Sequence, residues 1–218
     1  MKYITYIGSY TDADHADGVR IYESDAETGA FTPLGALNTF ESPTFMALNR
    51  DCTRLYTVLG RPTFGPAGRN GGVAAFAVKD DKLEFINEIR TGWTIPCHIS
   101  LDPSEKALVY AEYACGTAGF ADIREDGSID PAFAGMPSAV DPHFQVQHVG
   151  DGPNKPRQNS AHAHCAVVTP DGKYLLVVDL SLDKVVAYDF ANRAQGLKAV
   201  SIVADGTAFS PCARFTKS

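Results

Sequence analysis

Residues 163–178 read Ala163-His164-Cys165-Ala166-Val167-Val168, then Thr169-Pro170-Asp171-Gly172-Lys173, then Tyr174-Leu175-Leu176-Val177-Val178. Two short apolar runs flank a Pro-Asp-Gly turn, the pattern of a β-hairpin. The same grammar stands twice upstream. Pro96-Cys97-His98-Ile99-Ser100-Leu101 leads through Asp102-Pro103-Ser104 into Ala107-Leu108-Val109-Tyr110-Ala111. Pro43-Thr44-Phe45-Met46-Ala47-Leu48 leads through Asn49-Arg50-Asp51 into Arg54-Leu55-Tyr56-Thr57-Val58.

Each hairpin is followed by a third run: 72–78, 117–122 and 184–189. Each third run then meets a polar turn (79–81, 124–127, 192–194) and a weaker fourth strand. Four antiparallel strands recurring at roughly 40–50 residues make the blade of a β-propeller. The equivalent positions Phe45, His98 and His164 lie 53 and 66 residues apart, so loop lengths vary and the third unit carries an insertion. Tyr3–Tyr10, Gly18–Ser24 and Phe31–Leu37 resemble strands two to four of a further blade. A Greek-key sandwich would also give short strands, but not this recurring order. The fold expected is all-β, about four propeller blades of four antiparallel strands in a single, partial propeller domain over residues 1–218.

The chain has 218 residues, 44% hydrophobic and 10% aromatic, the balance of a folded globular protein. No apolar run approaches the ~20 residues that span a bilayer, so no membrane partner is expected. The opening Met1–Gly8 reads as a strand rather than a secretory leader. Five cysteines without a CxxC pair suit reduced thiols, and a cytoplasmic location is expected. A net charge of -7 repels phosphate backbones and argues against nucleic acid. An anionic ligand would therefore need a local basic pocket. The stretch from His143 to His164 offers one, with Lys155, Arg157 and four histidines against Asp151.

His162 and His164 are two apart, so on a strand both point to one face. Imidazole suits general-base work at neutral pH. An HxH pair also fits zinc, but no further ligands at metal spacing accompany it. Arg157 has the fork geometry for phosphate, against the alternative of a solvated loop arginine. His98 occupies the repeat position of His164. Glu112 and Asp179 end apolar strands at matching repeat positions; they are either axis-facing carboxylates or hydrogen-bond acceptors linking blades.

Several strings resemble the bacterial 6-phosphogluconolactonase family of seven-bladed propellers, which includes carboxymuconate cyclase-like enzymes. They are Tyr6-Ile7-Gly8-Ser9-Tyr10-Thr11, residues 71–76, residues 96–103, and above all the run Val146–Gln158 followed by Ala161-His162-Ala163-His164 and residues 178–183. The resemblance implies hydrolysis of 6-phospho-D-glucono-1,5-lactone in the pentose phosphate pathway, with no metal or organic cofactor and a phosphosugar lactone as the small-molecule partner. It favours His164 as the base. The candidate catalytic set is His164, His162 and Glu112; the candidate substrate-binding set is Arg157, His98, Gln147 and Asp179. A lactonising cyclase and a non-catalytic binding fragment are the alternatives.

Where the family opens its next blade with Gly-Pro-Arg-His, this sequence has Ser210-Pro211-Cys212-Ala213, and it stops three residues after Phe215. The resemblance thus implies about three blades fewer than seven, through truncation or an altered reading frame near residue 207. Self-association through exposed blade edges is expected from this.

Overall fold

A computed structural model describes residues 1–204 apart from 13, 62, 64–69 and 131–143. Among the described residues there is no α-helix, and four antiparallel sheets follow one another along the chain. The first holds β1 (Lys2–Gly8), β2 (Val19–Asp25) and β3 (Phe31–Leu37). The second holds β4 (Met46–Leu48), β5 (Arg54–Gly60), β6 (Gly71–Lys79) and β7 (Lys82–Arg90). The third holds β8 (His98–Leu101), β9 (Ala107–Glu112), β10 (Thr117–Asp122) and β11 (Gln145–Gln147). The fourth holds β12 (Ala163–Val168), β13 (Tyr174–Asp179), β14 (Lys184–Asp189) and β15 (Ala199–Ala204).

The repeated hairpin turns form because a short polar side chain closes them. Asp102 Oδ1 accepts from the backbone N–H of Lys106 (2.8 Å) and Ala107 (2.7 Å), and Asn49 Oδ1 accepts from Arg54 (2.8 Å). Asp171 Oδ1 accepts from Lys173 in the fourth sheet (3.1 Å). These side chains replace backbone partners within the turn, which is why Asx residues recur there.

The sheets pack face on face, and their apolar faces form the core. Phe40, Leu55 and Phe76 lie between the first two sheets; Tyr56, Val73, Ile99 and Tyr110 join the second to the third; Val109, Phe120, Ala166 and Val177 join the third to the fourth. The middle strands of the second and third sheets are thus largely buried on both faces, and every residue of β9 is inaccessible. For this reason Ala107–Ala111 reads as a continuous apolar run and not as an alternating one.

The first strands of the last three sheets lie side by side, β4 against β8 and β8 against β12. The Phe45 and His98 rings lie 4.6 Å apart, and Ser100 Oγ donates to the carbonyl of Ala166 at 2.9 Å. They belong to three separate sheets, as blades require. Two of them are shorter than the sequence suggests, because β4 begins at Met46 and β8 at His98, past Pro43 and Pro96. Proline brings no N–H to the ladder.

One expectation is corrected. After the turn at 124–127 only an isolated bridge forms, Ile123 with Ile129; the outer strand of the third sheet is Gln145–Gln147, pairing with Thr117–Gly119. The fourth strand comes late because a long connection intervenes before the chain returns to β10. The departure from the family's next-blade opening at Ser210–Ala213 lies outside the described residues, as does His143.

Candidate active site

A cleft of about 520 Å³ opens where the entrances of the four sheets meet. Hydroxyl side chains reach it from separate elements: Tyr10 after β1, Ser42 and Thr44 before β4, Thr94 before β8, and Tyr113 after β9. His164 of β12 closes the opposite side. Ser42 Oγ accepts from the Thr11 N–H (3.2 Å) while Thr11 Oγ1 accepts from the Ser42 N–H (3.0 Å), tying the first sheet to the second at the rim. The Thr94 wall depends on Gly71, where an added Cβ would sit 1.7 Å from the Thr94 carbonyl oxygen.

His164 enters the cleft from an irregularity in its strand. The β12–β13 register shifts between Ala163 and Cys165, so His164 is the extra residue of a β-bulge. Bulges re-aim side chains. This one leaves the imidazole half-buried in the cleft and edge-on to Tyr113, with ring centroids 5.7 Å apart.

His162 precedes the strand and is buried. Its ring stacks on Tyr113 at 4.1 Å, and its Nδ1 hydrogen-bonds the Tyr113 carbonyl at 2.9 Å. The two histidines therefore share Tyr113, although only His164 is among the cleft-lining side chains.

The other candidates do not share that cleft. His98 lies beneath it: Nδ1 accepts from the Ala166 N–H at 3.4 Å and Nε2 faces Cys165 Sγ at 3.7 Å. Burial, then the neighbouring His164, push its pKa down to about 4, so the ring is neutral. Arg157 is exposed in the turn 155–157 and does not line the cleft. The structure therefore does not bring His98 and Arg157 into the cleft that His164 lines. Gln147 ends the outermost strand of its sheet, away from the axis, and donates to the Cys115 carbonyl at 3.3 Å.

The two carboxylates are buried acceptors. Glu112 takes hydrogen bonds from Thr91 Oγ1 (2.8 Å), Thr117 Oγ1 (2.5 Å) and Cys115 Sγ (3.1 Å). Burial raises its pKa, with those donors opposing. Asp179 Oδ1 accepts from the N–H groups of His162, Ser181 and Leu182, each at 3.0 Å. Its Oδ2 meets His148 Nδ1 at 2.8 Å, and His148 Nε2 meets the Tyr188 hydroxyl at 2.9 Å. Burial pushes the Asp179 pKa up, but His148 and the backbone donors outweigh it and hold the carboxyl low. Burial and the Asp179 charge raise the Tyr188 phenol to about 12, so it remains a donor.

Two residues escaped the sequence reading. His148 lies inside the quoted run Val146–Gln158, but its partner is 31 positions away. Tyr113 follows Glu112 directly, and a repeat-by-repeat inspection of strand ends would have marked it. Among the described residues no group of three or more His, Cys, Asp or Glu side chains is placed to hold a metal ion, and no helix is long and apolar enough to cross a membrane.

One three-stranded and three four-stranded sheets in sequence, inner strands around an axis and a polar cleft at their entrances define a β-propeller with an axial site. The chain matches the family described as lactonase, 7-bladed β-propeller, over residues 4–208, and it belongs to that family. It is 31% identical to the 6-phosphogluconolactonase of Bacillus subtilis over 189 residues, 86% of this chain and 49% of that protein. The periplasmic gluconolactonase PpgL of Pseudomonas aeruginosa superposes with a TM-score of 0.77 at 25% identity, covering 94% of this chain and 55% of that one. A protein of Lactobacillus plantarum superposes with a TM-score of 0.74 at 28% identity, covering 94% and 54%. The chain spans about half the length of the curated relatives it matches.

Proposed function

We propose that this chain, as a single partial propeller domain, is a lactone hydrolase acting on a sugar δ-lactone, with 6-phospho-D-glucono-1,5-lactone as substrate. The observation that carries this reading is His164, aimed by a β-bulge into a cleft lined with hydroxyls from the other sheets. The name of the Bacillus subtilis relative supports the phosphorylated substrate. That of the Pseudomonas aeruginosa relative supports the lactone class.

In this mechanism His164 takes a proton from water as the water oxygen bonds to the lactone carbonyl carbon. Hydroxyls of the cleft donate to the developing oxyanion and to the sugar hydroxyls. Collapse of the tetrahedral intermediate breaks the ring C–O bond, and the imidazolium returns its proton to the leaving ring oxygen. Glu112 and Asp179 act from below, holding the loops that carry Thr91, Tyr113 and His162.

Purified protein should hydrolyse the phosphorylated lactone in an assay coupled to 6-phosphogluconate oxidation, with unphosphorylated gluconolactone and a carboxymuconate as comparison arms. His164→Ala should lower kcat by about 10²-fold or more, the usual contribution of a positioned base, with an unchanged melting temperature. Equal turnover in wild type and variant would remove His164 from the mechanism; turnover of the carboxymuconate alone would favour the cyclase reading. We place the protein in the cytoplasm on the reading of its five cysteines, an odd count without a CxxC pair, as reduced thiols. Cell fractionation tests this.

A further inference from the structure

The turn joining β9 to β10 touches both His162, just before the fourth sheet, and His164 within it. His162 lies flat on the Tyr113 ring, 4.1 Å between centroids and 12° between planes. The same ring meets His164 at 89° and 5.7 Å. The Tyr113 carbonyl oxygen can only accept, so the 2.9 Å contact with His162 requires the proton on Nδ1. In the neutral ring Nε2 then carries the lone pair.

This arrangement is held from both sides. The His162 N–H donates to Asp179 at 3.0 Å, and its carbonyl accepts from the Leu180 N–H at 3.0 Å. Beneath Tyr113, Glu112 gathers Thr91, Cys115 and Thr117, the last two from the turn and the strand that follows it. Gly116 closes the turn at φ +66°, and a Cβ there would meet Ala161 at 2.9 Å. The turn is therefore pinned to the third sheet below and to the segment before β12 beside it.

We infer that Tyr113 is a positioning residue for the histidine pair: its ring orients His164 at the cleft, and its carbonyl fixes the Nδ1–H tautomer of His162. The first half rests on the reading of His164 as the base; the second does not. A base must sit in near-attack geometry, and a displacement of about 1 Å costs roughly 10²-fold. Removing an aromatic wall that two imidazoles share frees both rings to turn.

Three variants of the full chain separate this from a purely structural role. Tyr113→Phe keeps the ring and loses only the cleft hydroxyl, and its kcat should stay at least about threefold above that of a variant without the ring. Tyr113→Leu keeps bulk and removes the ring; kcat should fall more than about tenfold while KM moves less than about threefold. Tyr113→Met replaces it should the leucine variant not fold. Nitrogen-15 NMR of the imidazoles should show His162 as the Nδ1–H tautomer in wild type and in Tyr113→Phe. An Nε2–H tautomer overturns the inference, as does equal kcat for the phenylalanine and leucine (or methionine) variants. Wild-type protein that hydrolyses no lactone would sink the hydrolase reading and with it the role toward His164, leaving the NMR result to decide the tautomer.

Discussion

His98 shows how a residue at the right repeat position takes a different task. It matches His164 along the repeat, yet β8 has no bulge there, and its ring turns inward against Phe45 and Cys165. A histidine held neutral by burial has a definite effect on stability. Below the ordinary imidazole pKa the unfolded chain binds a proton that the folded one refuses until pH about 4. Stability therefore falls as pH drops from about 6.5 to 4, by about 3 kcal/mol for this group. Urea melts at stepped pH should show this fall in wild type and a smaller one in His98→Gln. A parallel decline in both proteins would assign the acid sensitivity elsewhere. Glu112 and Asp179, at matching repeat positions, are each buried among several hydrogen-bond donors.

At the scale of elements, the blade is legible because its rules are local. Hairpins follow from apolar runs around Asx turns, and the observed strands match the quoted runs within a few residues. The outer strand of the third sheet was not legible, because Gln145–Gln147 pairs with β10 across a connection whose length no local pattern predicts. Close approach between blades is equally hidden, and Gly71 is the clearest case. Its β6 strand begins against the backbone of Thr94, a cleft-lining residue. Gly71→Ala must push that backbone aside, and overpacking of this kind costs about 1–3 kcal/mol. Chemical denaturation should register that loss, and on the proposed lactonase reading substrate binding should weaken as well, since the Thr94 wall moves. An unchanged denaturation midpoint would mean that the two loops are free to part.

Across the whole molecule, the outermost strand β15 leaves Val200, Ile202 and Val203 each more than half exposed. At the other end β1 is an edge of its sheet and exposes Tyr3, Ile4 and Ile7. Exposed apolar residues along strand edges favour pairing with another chain. The expected outcome is self-association: light scattering over a tenfold concentration range should report a molar mass that rises above 23.4 kDa. A monodisperse 23.4 kDa species throughout would rule this out.

The sequence by itself determined the blade, its four-strand rhythm, the turn residues that close each hairpin, and the strings that mark the family. Each of these depends on neighbours within some tens of residues, where periodicity and turn chemistry act. Which candidates meet in one cleft was decided only by the tertiary structure. Tyr10, Thr44, Thr94, Tyr113 and His164 come together because successive sheets pack around an axis, and no local pattern records that curvature. The single-residue bulge at His164 completed the arrangement: it turned one of two repeat-equivalent histidines into the cleft, while His98 stayed in the core.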